Sequence, residues 1–314
     1  MANSTANLIS IKRRVQAFVR AQRRNPDRYR VLAEGDSWFT TPVESWNGPT
    51  LISSLKRHTE DGRRPFNIVS VANPSTELLS TLHPNNLDLP LATLPDWIKE
   101  QSYDLVLLST GGNDVLGPRM EQMLRDPEAD PAVRRCHDTA PDALSRARCI
   151  LDCDAYNALL DNMIERLVRF RADVLKPCGL NRARIMIHGY DYPIPDGRRI
   201  DVLGGLVTVG PWLKPAFEHR NTPAETWNAV LKLLIDEYNA RLREAALDQR
   251  LFHYVDLRGT LAGADDWADE IHPHKDTGIR KISSVLTAAM RRVRDGRAPS
   301  IIGPRHTPGD YRCV

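Results

Sequence analysis

The sequence predicts an α/β fold, with helices covering a central, mostly parallel, doubly wound sheet. Three observations predict it. Strand-like and helix-like segments alternate along the chain. Residues 103–110 (YDLVLLST) are apolar almost without a break, the pattern of a strand buried on both faces. Polar groups able to do chemistry follow three of the strand segments, at the end where such sheets collect ligands.

The elements follow in order. Residues 8–24 (LISIKRRVQAFVRAQRR) place Ile11, Val15, Phe18 and Val19 at helical spacing. Lys12, Arg13, Arg14, Arg20, Arg23 and Arg24 cover the other face. The simpler expectation is a docked helix with a solvated basic face. The sharper one is a peripheral contact of 8–24 with an anionic membrane or an acidic partner. Residues 30–36 read as the first strand, 49–58 as a helix and 66–72 (FNIVSVA) as the second strand. A helix is expected over 91–102, with Pro95 near its start, before the strand at 103–110. Residues 155–176 repeat Leu159, Leu160, Met163, Leu167, Phe170 and Val174 at the helical period. Next come a strand at 183–189 (ARIMIHG), a long helix at 223–247, a short strand at 251–256 (LFHYVD) and a last helix at 276–294.

Two stretches break this rhythm. Residues 115–154 are rich in Pro, Arg, Asp and Cys, and 190–222 carry four prolines and two adjacent glycines. Both follow strands on the side where a site would lie, so both are expected as loop insertions bordering it. The predicted organisation is a basic amphipathic helix over 1–29, a catalytic domain over 30–296 and a loose tail over 297–314.

The chain of 314 residues can bury a large core. Its net charge of +3 is too mild for nucleic acid to be the main partner. No glycine-rich nucleotide motif occurs, and no cofactor is expected. The longest apolar runs fall far short of the ~18 residues a spanning helix needs. The first residues also lack the apolar core of a signal peptide. The expectation is a soluble, cytoplasmic protein, with secretion by another route left open. The five cysteines form no CxxC pair, so a zinc knuckle is not expected. A disulfide among Cys136, Cys149 and Cys153 is a minor expectation. Oligomeric state is not legible.

Three groups carry the chemistry. Gly35-Asp36-Ser37 follows the first strand, Gly111-Gly112-Asn113-Asp114 the third, and Asp269-Glu270-Ile271-His272 lies beyond the last. Together they suit acyl transfer. Ser37 is the candidate nucleophile, but a serine hydroxyl is weak without a base. His272 is the candidate base, since imidazole titrates near neutrality. Asp269, three residues before it, is spaced to orient the ring and stabilise the imidazolium. The Ser37 N–H and the Asn113 amide are candidate donors to an oxyanion. Alone, each group is more often a turn, a helix cap or a surface pair. Their joint occurrence at the correct strand ends carries the reading.

The segments "EGDSW" (34–38), "STGGND" (109–114) and "DEIH" (269–272) resemble the SGNH/GDSL hydrolase family of esterases and lipases. The resemblance implies a flavodoxin-like three-layer α/β/α sandwich. It implies Ser37 as nucleophile, Asp269 and His272 as its partners, and Asn113 in the oxyanion hole. One departure concerns the glycine the family places after the second strand as a backbone donor. Here the stretch is "VANPSTELL" (71–79), so the donor is expected to be the N–H of Ser75 or Thr76. A second departure is Trp38, where a smaller aliphatic residue is common. It would either wall the acyl pocket or pack beneath the site. Asp191 and Tyr192, after the fourth strand, are expected to border the substrate, and Trp212 and Phe217 to form an apolar wall.

The alternatives within this chemistry are a carbohydrate O-deacetylase, a thioesterase and a phospholipase-type lipase. A non-catalytic binding module on the same scaffold is the alternative from another class. His272 and His274 with Asp265 and Asp266 invite a metal reading, but the spacing is unspecific and no metal is expected. His188 and His253 are expected to be structural. The sequence leaves the acyl chain, the alcohol and the biological role open.

Overall fold

A computed structural model describes residues 2–40, 49–73, 77–78, 100–202, 207–249, 251–303 and 313. The central sheet consists of β1 (Tyr29–Gly35), β2 (Phe66–Ser70), β3 (Leu105–Ser109), β4 (Arg184–His188), β7 (His253–Val255) and β8 (Ile301–Ile302), in the order β2-β1-β3-β4-β7-β8. Every pairing in it is parallel. The short strands β5 (Ile200–Val202) and β6 (Val207–Val209) form a separate antiparallel hairpin. All five residues of β3 are buried, as its unbroken apolar run requires of a central strand.

Helices cover both faces. α2 (Leu51–Arg57) packs against the helix Gly278–Arg294, labelled α10 below. The helices Cys153–Phe170 (α7) and Trp227–Gln249 (α9) pack on each other. Strand order runs one way from β1 to β2 and the other way from β1 through β3 and β4. Right-handed crossovers therefore place α2 and α7 on opposite faces, giving three layers. The N-terminal helix α1 (Ala2–Arg24) docks on β2 through Ile11, Val15 and Phe18, all buried. The predicted helix over 91–102 lies outside the described residues up to 99.

Two expectations are corrected. Residues 115–154 are mainly helical: α3 (Gly112–Val115), α4 (Pro118–Met123), α5 (Pro131–Thr139) and α6 (Ala143–Ile150) precede α7. The signals were present as helix starts rather than loop residues. Pro118 and Pro131 sit in first turns, and Asp130, Asp142 and Asp152 accept from backbone amides of the turns they open. The C-terminal segment is also not loose where it is described. Ile301 and Ile302 extend the sheet beyond β7. The disulfide considered among Cys136, Cys149 and Cys153 is present between Cys136 and Cys149; a second bridge joins Cys153 to Cys313, and Cys178 is a buried thiol. The second bridge, 160 residues long in sequence, ties the chain's end to the start of α7. Sequence spacing cannot pair distant cysteines; only the fold brings them together.

Glu34, inside β1, is fully buried. Neither carboxyl oxygen finds a well-formed hydrogen bond among the described residues, and the Gly35 amide offsets burial only in part. Burial raises its pKa well above the carboxylate range. The raised folded value means that Glu34's contribution is intact below the ordinary carboxylate range. It declines as pH rises from there toward the folded value. Glu34→Gln should therefore raise the melting temperature at pH 8 by several degrees, at roughly 2–4 °C per kcal/mol for a large domain. At pH 4 the two proteins should melt nearly alike. Equal melting of both proteins at pH 8 would refute the assignment.

Candidate active site

The carboxyl ends of β1 and β3 meet closely. A Cβ on Gly35 would lie 2.3 Å from the Ser109 carbonyl oxygen, so only glycine lets the two strands approach this far. The Asp36 N–H donates to that same carbonyl at 2.8 Å, which carries the β1–β3 ladder one residue past the strand. Asp36 then locks the turn that follows. Its carboxylate accepts from the Trp38 N–H (3.0 Å), from Ser109 Oγ (2.9 Å) and from the Tyr190 hydroxyl. The Phe39 and Thr40 amides turn back onto the Asp36 carbonyl. This turn sets Ser37 at the sheet edge, half-buried, with its side chain free of the core.

Asp269 and His272 come to Ser37 from the loop before α10. Ser37 Oγ lies 2.9 Å from His272 Nε2, and His272 Nδ1 lies 2.8 Å from Asp269 Oδ2. A hydroxyl, an imidazole and a carboxylate thus form one hydrogen-bonded line. In this order the ring can take the hydroxyl proton at one nitrogen while the carboxylate steadies the other. Asp269 is fully buried, and its second oxygen accepts from the Ile271 and His272 amides at 2.9 and 2.7 Å. Burial pushes its carboxyl up, but His272 and the two amides outweigh that and hold it below the usual carboxylate range. It therefore stays ionised where an imidazole would act as base.

Asn113 stands in the first turn of α3 and lines the same cleft as Ser37. Gly111, the residue before α3, has φ of +105°, and a Cβ there would meet the Tyr238 hydroxyl at 2.2 Å. The "GGND" turn is thus shaped by a left-handed backbone and by a tyrosine from α9, which donates to the Thr110 carbonyl at 2.7 Å. Ser75 and Thr76 lie outside the described residues.

Trp38 is buried beside Ser37. Its ring lines the cleft, and its Nε1–H donates to the Ile271 carbonyl at 3.0 Å. It thereby joins the serine turn to the histidine loop. Trp267 and Tyr190 meet Trp38 edge-on at 6.3 and 4.9 Å. These rings, with Leu116, Pro193 and Ile271, line a narrow cleft beside Ser37.

The other candidates fall elsewhere. Asp191 borders the cleft, but its carboxylate is occupied by the Tyr192, Gly259 and Leu261 amides at 2.8, 2.8 and 2.6 Å, so it organises the loop after β7. The Tyr192 hydroxyl donates to Asp236 at 2.6 Å, a buried carboxylate that also pairs with Arg258; Tyr192 is not in the cleft wall. Phe217 is core and stacks on Trp227 at 5.3 Å. His188 is structural: fully buried among Trp38, Phe39 and Tyr190, with burial lowering its pKa to about 4, so its ring is neutral. Asp266 pairs with Lys281 rather than with a histidine. Among the described residues, no three His, Cys, Asp or Glu side chains converge as metal ligands would.

Two residues escaped the sequence reading. Trp212 was expected as a wall, yet its Nε1–H donates to Asp269 Oδ2 at 2.7 Å and its ring meets His272 edge-on at 5.8 Å. Glu270, beside Asp269, is fully buried and accepts from backbone amides of residues 197 and 212–214. A second carboxylate beside Asp269 inside the "DEIH" motif was the available signal.

No family model matches the sequence, and no curated protein does. Among solved structures, the chain is similar to phospholipase A1 from Streptomyces albidoflavus NA297, with 14% identity and a TM-score of 0.43, covering 83% of this chain and 99% of that one. It is also similar to a lipase/acylhydrolase from Enterococcus faecalis, with 13% identity and a TM-score of 0.40, covering 87% and 98%. Likenesses this distant assign no activity, and the functional reading rests on the side chains themselves. No helix among the described residues is long and apolar enough to cross a membrane.

Proposed function

We propose that this protein is a serine hydrolase of carboxylic esters, of the SGNH/GDSL kind its motifs resemble. The hydrogen-bonded line Ser37–His272–Asp269 is the observation that carries the reading. Ser37 Oγ attacks the acyl carbonyl as His272 Nε2 takes its proton, and the imidazolium is stabilised by Asp269. The Asn113 amide and the Ser37 N–H stabilise the oxyanion. His272 returns the proton to the leaving alcohol oxygen. Water, activated by the same ring, then releases the acid and restores Ser37.

The cleft favours a short acyl group. Beside Ser37 it is narrow, walled by Trp38, Trp267 and Tyr190. Large rings this near Ser37 suit an acetyl group better than a long chain. This favours acetyl esters, those of sugars included, over phospholipids. The two disulfides favour an oxidising compartment over the cytoplasm.

The test is an ester panel run on the wild type and Ser37→Ala together. It spans p-nitrophenyl acetate to laurate, an acetylated sugar, an acyl-CoA and a phospholipid. Acetyl esters should be cleaved fastest, with a fall of tenfold or more by octanoate. A fluorophosphonate should label the wild type and not Ser37→Ala. Parental ester hydrolysis by Ser37→Ala would sink the proposal, and preference for long acyl chains would sink its acyl-size part.

A further inference from the structure

Residue 197 and residues 212–214 are tied to the histidine loop by two contacts. The first is a carboxylate clasp. Glu270 Oε1 accepts from the Gly197 amide at 2.9 Å and from the Lys214 amide at 3.2 Å. Its Oε2 accepts from the Leu213 amide at 2.6 Å and from the Trp212 amide. A fully buried carboxylate with no cation in this set is stable only because several N–H donors converge on it. The second contact is made by the side chain that this clasp delivers. Trp212 Nε1 donates to Asp269 Oδ2 at 2.7 Å, the same oxygen that faces His272 Nδ1 at 2.8 Å.

We propose that Trp212 is a positioning residue for the Ser37–His272–Asp269 line, and that Glu270 is the latch that holds it in place. The inference rests on the serine-hydrolase reading. Adjacent residues of one motif divide two tasks. Asp269 faces the base, and Glu270 fixes the segment whose indole limits how Asp269 can turn. The indole also takes part of the carboxylate's charge. Two acceptor sites on one oxygen, filled by an imidazole and an indole, leave that oxygen a single orientation toward the ring.

The consequence has a sign. Among the described residues, the charged groups facing His272 are Asp269 in its own loop and Asp36 from the turn after β1; the stretch 212–214 contributes the uncharged indole. Removing the indole N–H leaves more negative charge on Asp269 at the imidazole. The imidazolium is then favoured, and the acid limb of kcat/KM moves to higher pH. Trp212→Phe keeps an aromatic ring and removes only the donor. Its limb should rise by about 0.5–1 unit, a three- to tenfold loss of active fraction at a fixed pH below the limb. kcat should fall roughly tenfold with KM little changed, because the line rather than the cleft is disturbed.

Glu270→Gln tests the latch. It should give the same upward shift, and the double variant should shift no further than either single one, because both act through one contact. The pH profiles are paired with an NMR titration of the His272 ring, assigned by its loss in His272→Gln. That measurement needs no turnover. If Ser37→Ala keeps the parental rate, the hydrolase reading fails by itself, and the NMR midpoint still decides the role of Trp212. An unchanged NMR midpoint in Trp212→Phe would overturn the positioning role. Additive shifts in the double variant would overturn the latch.

Discussion

His272→Ala should lower kcat on p-nitrophenyl acetate by about 10⁵–10⁶, with KM within a few-fold of the parent. The size follows from the geometry. Among the described residues Ser37 Oγ has one base within reach, at 2.9 Å, and in the proposed reaction the same ring serves both acylation and deacylation. Without it the hydroxyl must attack unassisted and water must then do the same. Ser37 and His272 act as a unit, so the double variant Ser37→Ala/His272→Ala should be no slower than either single one. Additive losses would mean that the two side chains contribute separately and that the line is not the catalytic device. Asp269→Asn should be milder, about 10⁴, since the ring remains but loses its preferred tautomer and its counter-charge. Single-turnover kinetics on variants with unchanged melting curves make the comparison.

Asn113→Ala should reduce kcat by about 10²–10³, again with little change in KM. In the proposed reaction the amide stabilises charge that exists only in the transition state, so its loss is expected to leave ground-state binding intact. Asn113 sits in the first turn of α3, placed there by the left-handed Gly111 and by Tyr238 behind it. A parental kcat in Asn113→Ala would remove this residue from the oxyanion hole and leave the donors to the backbone.

The two variants probe different parts of what was legible from residue order. Period and composition alone predicted the alternation of strands and helices. They did so because β1, β3 and β4 are covered on both faces and so carry nearly unbroken apolar runs. Ser37, Asn113, Asp269 and His272 were legible because short motifs at strand ends are local, and local chemistry survives in one dimension. Residues 115–154 were legible in principle and misread in emphasis. Asp-Pro and Pro-Asp pairs start helices as readily as they make loops, and the apolar faces of α5 and α6 are too short to show a clear period.

The rest was decided by contacts between residues far apart in the chain. Trp212 reaches Asp269 across 57 positions and Tyr190 reaches Asp36 across 154. Cys313 joins Cys153 across 160. No periodicity encodes such pairs. They exist because parallel strands need long crossovers, which return distant segments to one sheet edge. Asp191 and Tyr192 show the converse. Their position after β4 suited substrate contact, but the fold gave their polar atoms other partners, in backbone amides and in Asp236. Residue order specifies the sheet and the set of groups able to do acyl chemistry. Tertiary structure decided which of their neighbours hold them in line, because a hydrogen bond depends on distance and direction and not on order along the chain.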